Sequence, residues 1–92
     1  MNAARRKQIT ALAQQIEKES PTGLLEDFKG EVEQIRDDEQ EYLDAMPEGL
    51  KGGDRGEAAE AAISALEEAI EALETAIEAL GNIVSSLQEA TE

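Results

Sequence analysis

The chain has no cysteine, no histidine and no tryptophan, and only one phenylalanine and one tyrosine among its 92 residues. Without cysteine and histidine there is no thiolate nucleophile, no disulfide, no imidazole base and none of the soft-metal ligand sets that these side chains build. Catalysis is the class of function that this removes most directly, and no cofactor is expected. The shortage of aromatics leaves an aliphatic and thin core. A chain this short has few apolar faces with which to enclose it, so a second copy is expected to cover the rest, most simply as a dimer. No apolar run approaches the ~20 residues of a membrane span. Residues Gln8 to Gln15, after Arg5-Arg6-Lys7, are too polar for a secretory core. A soluble protein in the cytoplasm of its host cell is the expectation.

Bases are scarce too, 8 against 22 acids, for a net charge of −14. Residues 1–18 are net +3, 19–46 net −8, 47–57 net −1, and 58–92 carry eight acids and no base. Phosphate neutralisation needs clustered Lys and Arg, so direct binding to nucleic acid is disfavoured, and a protein with a basic surface is the better-matched partner.

Four heptads near the C-terminus place Ile63, Ile70, Ile77 and Val84 three residues ahead of Leu66, Leu73, Leu80 and Leu87. This is a coiled-coil seam, a long helix with a narrow apolar stripe that needs a partner helix. Alanines at 62, 69, 76 and at 65, 72, 79 widen the packing face on both shoulders. A second stripe, Leu25, Phe28, Val32, Ile35, Tyr42 and Met46, runs at three- and four-residue steps, with Glu39 in the one missing core slot. Two readings of Glu39 stand: an acid at a bundle edge reaching water along its stem, helped by Arg36, or a buried polar group fixing register. Phe28 and Tyr42 read as core anchors.

The expected fold is therefore all-α, one domain of residues 1–92. Helix A spans 2–18, helix B 21–46, a linker 47–54 and helix C 55–90. Ser20 is a good N-cap and Pro21 suits a first helical turn, so the first helix is kinked or restarted there. Pro47, Gly49, Gly52 and Gly53 stop helix B, and Asp54-Arg55-Gly56-Glu57 has the spacing of a capping box. The short link favours an antiparallel hairpin, whereas the Ile/Leu order of helix C favours a parallel pair, and both contacts fit an oligomeric coiled-coil-like bundle. In such a hairpin Arg5-Arg6-Lys7 falls near Glu89 and Glu92, offsetting positive charge at a helix start.

Two sites are candidates. One is an acidic face made of Glu31, Asp37, Asp38 and Glu41 with Glu67, Glu68, Glu71, Glu74 and Glu78. Successive side chains on a helix diverge, and no Glu-x-x-His pair is possible, so these acids do not read as metal ligands or as a glycosidase pair. A solvated face or a surface for a basic protein remains. The other is the loop Lys51, Gly52, Gly53 and Arg55, where free backbone N–H groups could hold an anion, although a loop and cap explains the same residues.

With Arg36-Asp37-Asp38-Glu39-Gln40-Glu41, Asp44, Pro47-Glu48, Leu50 and Arg55-Gly56-Glu57-Ala58 in view, residues 3–90 resemble a group of small acidic helical proteins of tailed bacteriophages and prophages. The resemblance implies an accessory role in an infected bacterial cell and carries no assigned residues. Three functions follow as expectations. The first is a non-enzymatic, oligomeric protein-binding module, in its sharpest form a nucleic-acid mimic acting on a host defence or nucleic-acid-binding protein. The second is a bundle that sequesters a small anion such as a nucleotide, and the third a structural or assembly coiled coil.

Overall fold

The computed structural model describes residues 2–92, which are all-α: α1 (Ala3–Glu19), α2 (Pro21–Asp44), α3 (Glu48–Lys51) and α4 (Asp54–Ala90). Alanine, leucine and glutamate, all strong helix formers, fill most of α4 and let it run 37 residues, about 55 Å. α2 lies antiparallel on α4, and α1 continues beyond α2 to cover the last turns of α4, where Gln88 Nε2 donates to Glu17 Oε1 at 3.5 Å. The result is a rod of 69 × 18 × 14 Å, two helices wide and one helix deep.

Asn2 caps α1 by accepting from the Arg5 amide at 2.8 Å. The next boundary departs from the expected cap. Ser20 sits between α1 and α2 in the left-handed region (φ 52°, ψ 52°), and its side chain makes no capping bond to α2. Its backbone N–H is shared by the Ile16 and Glu17 carbonyls, and its own carbonyl accepts from the Leu24 amide at 3.2 Å, so Ser20 closes α1 and opens α2 through its backbone alone. A β-carbon in this region costs about 1–2 kcal/mol. Ser20→Gly is accordingly expected to raise stability by up to about 1 kcal/mol, seen as a higher urea midpoint; a lower midpoint would show that the serine is not strained there.

α2 ends at Asp44 because Pro47 cannot continue it. The link is not wholly irregular: Pro47 O accepts from the Leu50 and Lys51 amides at 2.9 and 3.3 Å and so starts the single turn α3. The cap of α4 is Gly53 rather than Asp54, and no side chain completes a capping bond. Asp54 and Glu57 both lie inside the first turn, where they stabilise the positive helix end by charge alone.

The core is as thin as the composition requires. Among the described residues Ala13, Ala59, Ile63 and Ile70 are the buried apolar side chains, with Gly56 buried at the turn. Leu66, Leu73, Ile77, Leu80, Val84 and Leu87 complete the α4 seam, half-buried against α2 and α1. On α2 the contact line is Leu25, Lys29, Val32, Arg36, Glu39 and Leu43, continued by Met46 just past the helix end, all half-buried. The alternate line of Phe28, Ile35 and Tyr42 is exposed, which corrects the reading of Phe28 and Tyr42 as core anchors within the chain. Lys29 and Arg36 take those places because their aliphatic stems cover α4 while their charged ends find carboxylates, Lys29 on Glu74 of α4 and Arg36 on Asp37 of its own helix.

Candidate functional site

α4 carries three lengthwise stripes: the Ile/Leu seam, a row of alanines, and a row of glutamates. On the contact line with α2, Lys29 Nζ meets Glu74 Oε1 at 3.1 Å. Around it runs a shallow open groove lined by Glu26, Lys29, Glu33, Glu74, Ile77 and Glu78. A second groove continues it with Arg36, Glu67, Ile70, Glu71 and Glu74. The glutamate row of α4 thus adjoins the Lys29/Arg36 edge of α2. In a two-helix layer the opposite edges must then adjoin as well, so the alanine row shares a face with Phe28, Ile35 and Tyr42. The two broad faces of the rod therefore differ: one is acidic, the other apolar.

The nine acids expected to make one surface are divided by this geometry. Glu67, Glu71, Glu74 and Glu78 line the acidic face, and Glu68 points directly away from α2. Glu31, Asp37, Asp38 and Glu41 fall on the outer side of α2, away from α4. Arg36 Nε bonds Asp37 Oδ1 at 3.0 Å instead of reaching toward Glu39. Glu39 itself is half-buried, and among the described residues no buried side-chain polar atom lacks a partner. Its carboxylate reaches water at the edge of the contact line. The residues missing from the expected set are Glu26 and Glu33, which face the α4 glutamates across the groove. Their signal was present: both flank the Lys29/Arg36 edge at helical spacing.

Electrostatics within this face are those of a solvated surface. The Lys29–Glu74 pair is partly exposed on both sides and contributes at most about 1 kcal/mol. Six carboxylates, Glu26, Glu33, Glu67, Glu71, Glu74 and Glu78, stand against two bases, so a surplus of negative charge faces outward. Among the described residues no three or more acids converge on a point that could hold a metal ion. No helix among them is long and apolar enough to cross a membrane.

The loop candidate is arranged differently from an anion cradle. Both glycine amides, at Gly52 and Gly53, are directed at the Leu50 carbonyl. Lys51 Nζ is paired with Glu48 Oε1 at 3.3 Å. Asp54 and Glu57 place negative charge at the start of α4, where an anion would otherwise bind. Arg55 turns to the apolar face, in a depression with Tyr42, Ala45, Met46, Pro47 and Leu50.

At the other end, Thr91 lies in a groove with Ile9, Thr10, Ala13, Gln14 and Glu17. Arg5, Arg6 and Lys7 therefore overhang the end of α4, and among the described residues no ion pair joins them to Glu89 or Glu92. The expected compensation between those charges is absent because the α1/α2 arm is longer than α4.

Comparison with protein-family models, with curated proteins and with solved structures finds no match to this chain.

Proposed function

We propose that this chain is a non-enzymatic, phage-type accessory protein that works in the cytoplasm of an infected bacterial cell. It acts as an oligomeric helical protein-binding module whose acidic face occupies the basic surface of a host protein. The observation that carries this reading is the alignment of Glu67, Glu71, Glu74 and Glu78 along one exposed edge of α4, facing Glu26 and Glu33 of α2. The four α4 carboxylates span about 17 Å of helix axis, a length over which one strand of duplex DNA carries about five phosphates. That charge density, of the same order as a strand's, supports mimicry of a nucleic-acid strand as the sharper form of this reading. The anion-sequestering reading has less support, because the loop amides and Lys51 already have partners.

The test is capture from bacterial lysate by the wild type and by a variant with Glu67, Glu71, Glu74 and Glu78 changed to Gln, with duplex DNA as competitor. The expected result is a basic partner held by the wild type, lost from the variant, and released by DNA or by raised salt. Equal recovery by both proteins would remove the acidic-face mechanism.

A further inference from the structure

The geometry points to the opposite, apolar face as the surface on which a second copy of this chain docks, in a register set by the two heptad rows. This rests on the oligomeric module proposed above and names how it assembles.

The amount of surface left open is the first argument. A compact monomer of 9.9 kDa exposes about 5,200 Å². This chain exposes 6615 Å², an excess of roughly 1,400 Å², and a stable protein interface takes about 800 Å² from each partner. The excess is what a rod one helix deep must show, and a second layer laid on one broad face removes it.

The choice of face follows from charge and shape. Two chains of net charge −14 repel each other, so they can meet only where acids are fewest. The glutamate face fails that condition. On the apolar face Phe28, Ile35 and Tyr42 are 44%, 54% and 49% exposed, a large expense for a chain with so few bulky side chains. The antiparallel register that sets Lys29 beside Glu74 also puts Phe28 level with Ala76, Ile35 with Ala69 and Tyr42 with Ala62. Rotation of the rod by a half-turn about an axis parallel to its helices brings each bulky residue of one copy over the alanine at the same height on the other. Large side chains then fill the space above small ones along the whole contact. The other stacking, α2 on α2 and α4 on α4, sets bulk on bulk and leaves a gap between alanine rows. In the favoured dimer the two α4 helices run parallel on the diagonal of a four-helix bundle, and both acidic faces remain outward.

Light scattering of the full chain at micromolar concentration tests this, with Ala69→Glu as the disrupting variant and Thr75→Glu, on the outer side of α4, as the charge control. A dimer is expected for wild type and control. Ala69→Glu, still helical by circular dichroism, is expected to dissociate at a concentration about 100-fold higher or more, since it places an unpaired carboxylate in the interface. Because the copies repel, the dimer should tighten as salt is raised, the opposite of the salt response expected for partner capture. Ile35→Cys mixed with Ala69→Cys should give an oxidised heterodimer in preference to either homodimer. A monomeric wild type overturns both the assembly and this face. A dimer indifferent to Ala69→Glu overturns the face alone, and preferential linkage of the Ile35→Cys variant to itself overturns the register.

Discussion

Gly56→Ala should destabilise this chain by about 2–3 kcal/mol, a fall of roughly 10–20 °C in melting temperature for a domain of this size. Gly56 is buried in the first turn of α4, and a β-carbon built on it would overlap the carbonyl oxygen, carbon and Cα of Lys51. The obstacle is backbone, which cannot rotate aside as a flexible side chain can. The α3–α4 turn would have to open, and with it the alignment of α2 on α4, because this turn sets where the antiparallel arms begin to pair. Gly81→Ala is the control: nothing lies within 4 Å of a β-carbon there, and alanine in place of an exposed helical glycine stabilises by about 0.5–1 kcal/mol. Opposite shifts of the two variants in thermal melts followed by circular dichroism are expected. A Gly56→Ala protein as stable as wild type would show that the turn adapts at no cost.

The second large effect is expected at Ile70. It is 7% exposed and, with Ile63 at 8%, is one of the two large side chains buried among the described residues. Ile70→Ala is expected to cost about 3 kcal/mol through lost apolar burial and the cavity left behind. Chains of this length are stabilised in total by only about 5–14 kcal/mol, so a substantial part of the stability rests on one side chain. Thr75→Ala, on the exposed outer side of the same helix, is expected to change the stability measured by urea unfolding by less than about 1 kcal/mol. Equal losses at the two positions would mean that Ile70 is not the centre of the core.

Much of the architecture was legible in the residues. The α4 seam could be read because isoleucine and leucine alternate without interruption and because alanine and glutamate favour the same helix. The breaks at Ser20-Pro21 and Pro47 could be read because proline lacks an amide donor and restricts the residue before it. The line by which α2 meets α4 could not. Leu25, Val32 and Met46 leave two neighbouring lines open, one through Phe28, Ile35 and Tyr42 and the other through Lys29, Arg36 and Leu43. A hydrophobicity pattern selects the first. The structure takes the second because a lysine or arginine has four or three methylenes to bury and a charged end that still finds a carboxylate, Glu74 on the facing helix for Lys29 and the neighbouring Asp37 for Arg36. The same choice rearranges the candidate acidic face. It brings Glu26 and Glu33 into line with the α4 glutamates and sends Glu31, Asp38 and Glu41 to the outer side.

Composition and periodicity by themselves determined that this protein is helical, acidic, thin-cored and without the residue types of thiol or imidazole chemistry, since these properties depend only on which side chains are present and how far apart they stand. Only the tertiary structure decided which edges of α2 and α4 adjoin, and hence that one broad face is carboxylate and the other apolar. A helix presents its side chains all round, and the identity of each face is settled only when one side of it is covered by another helix.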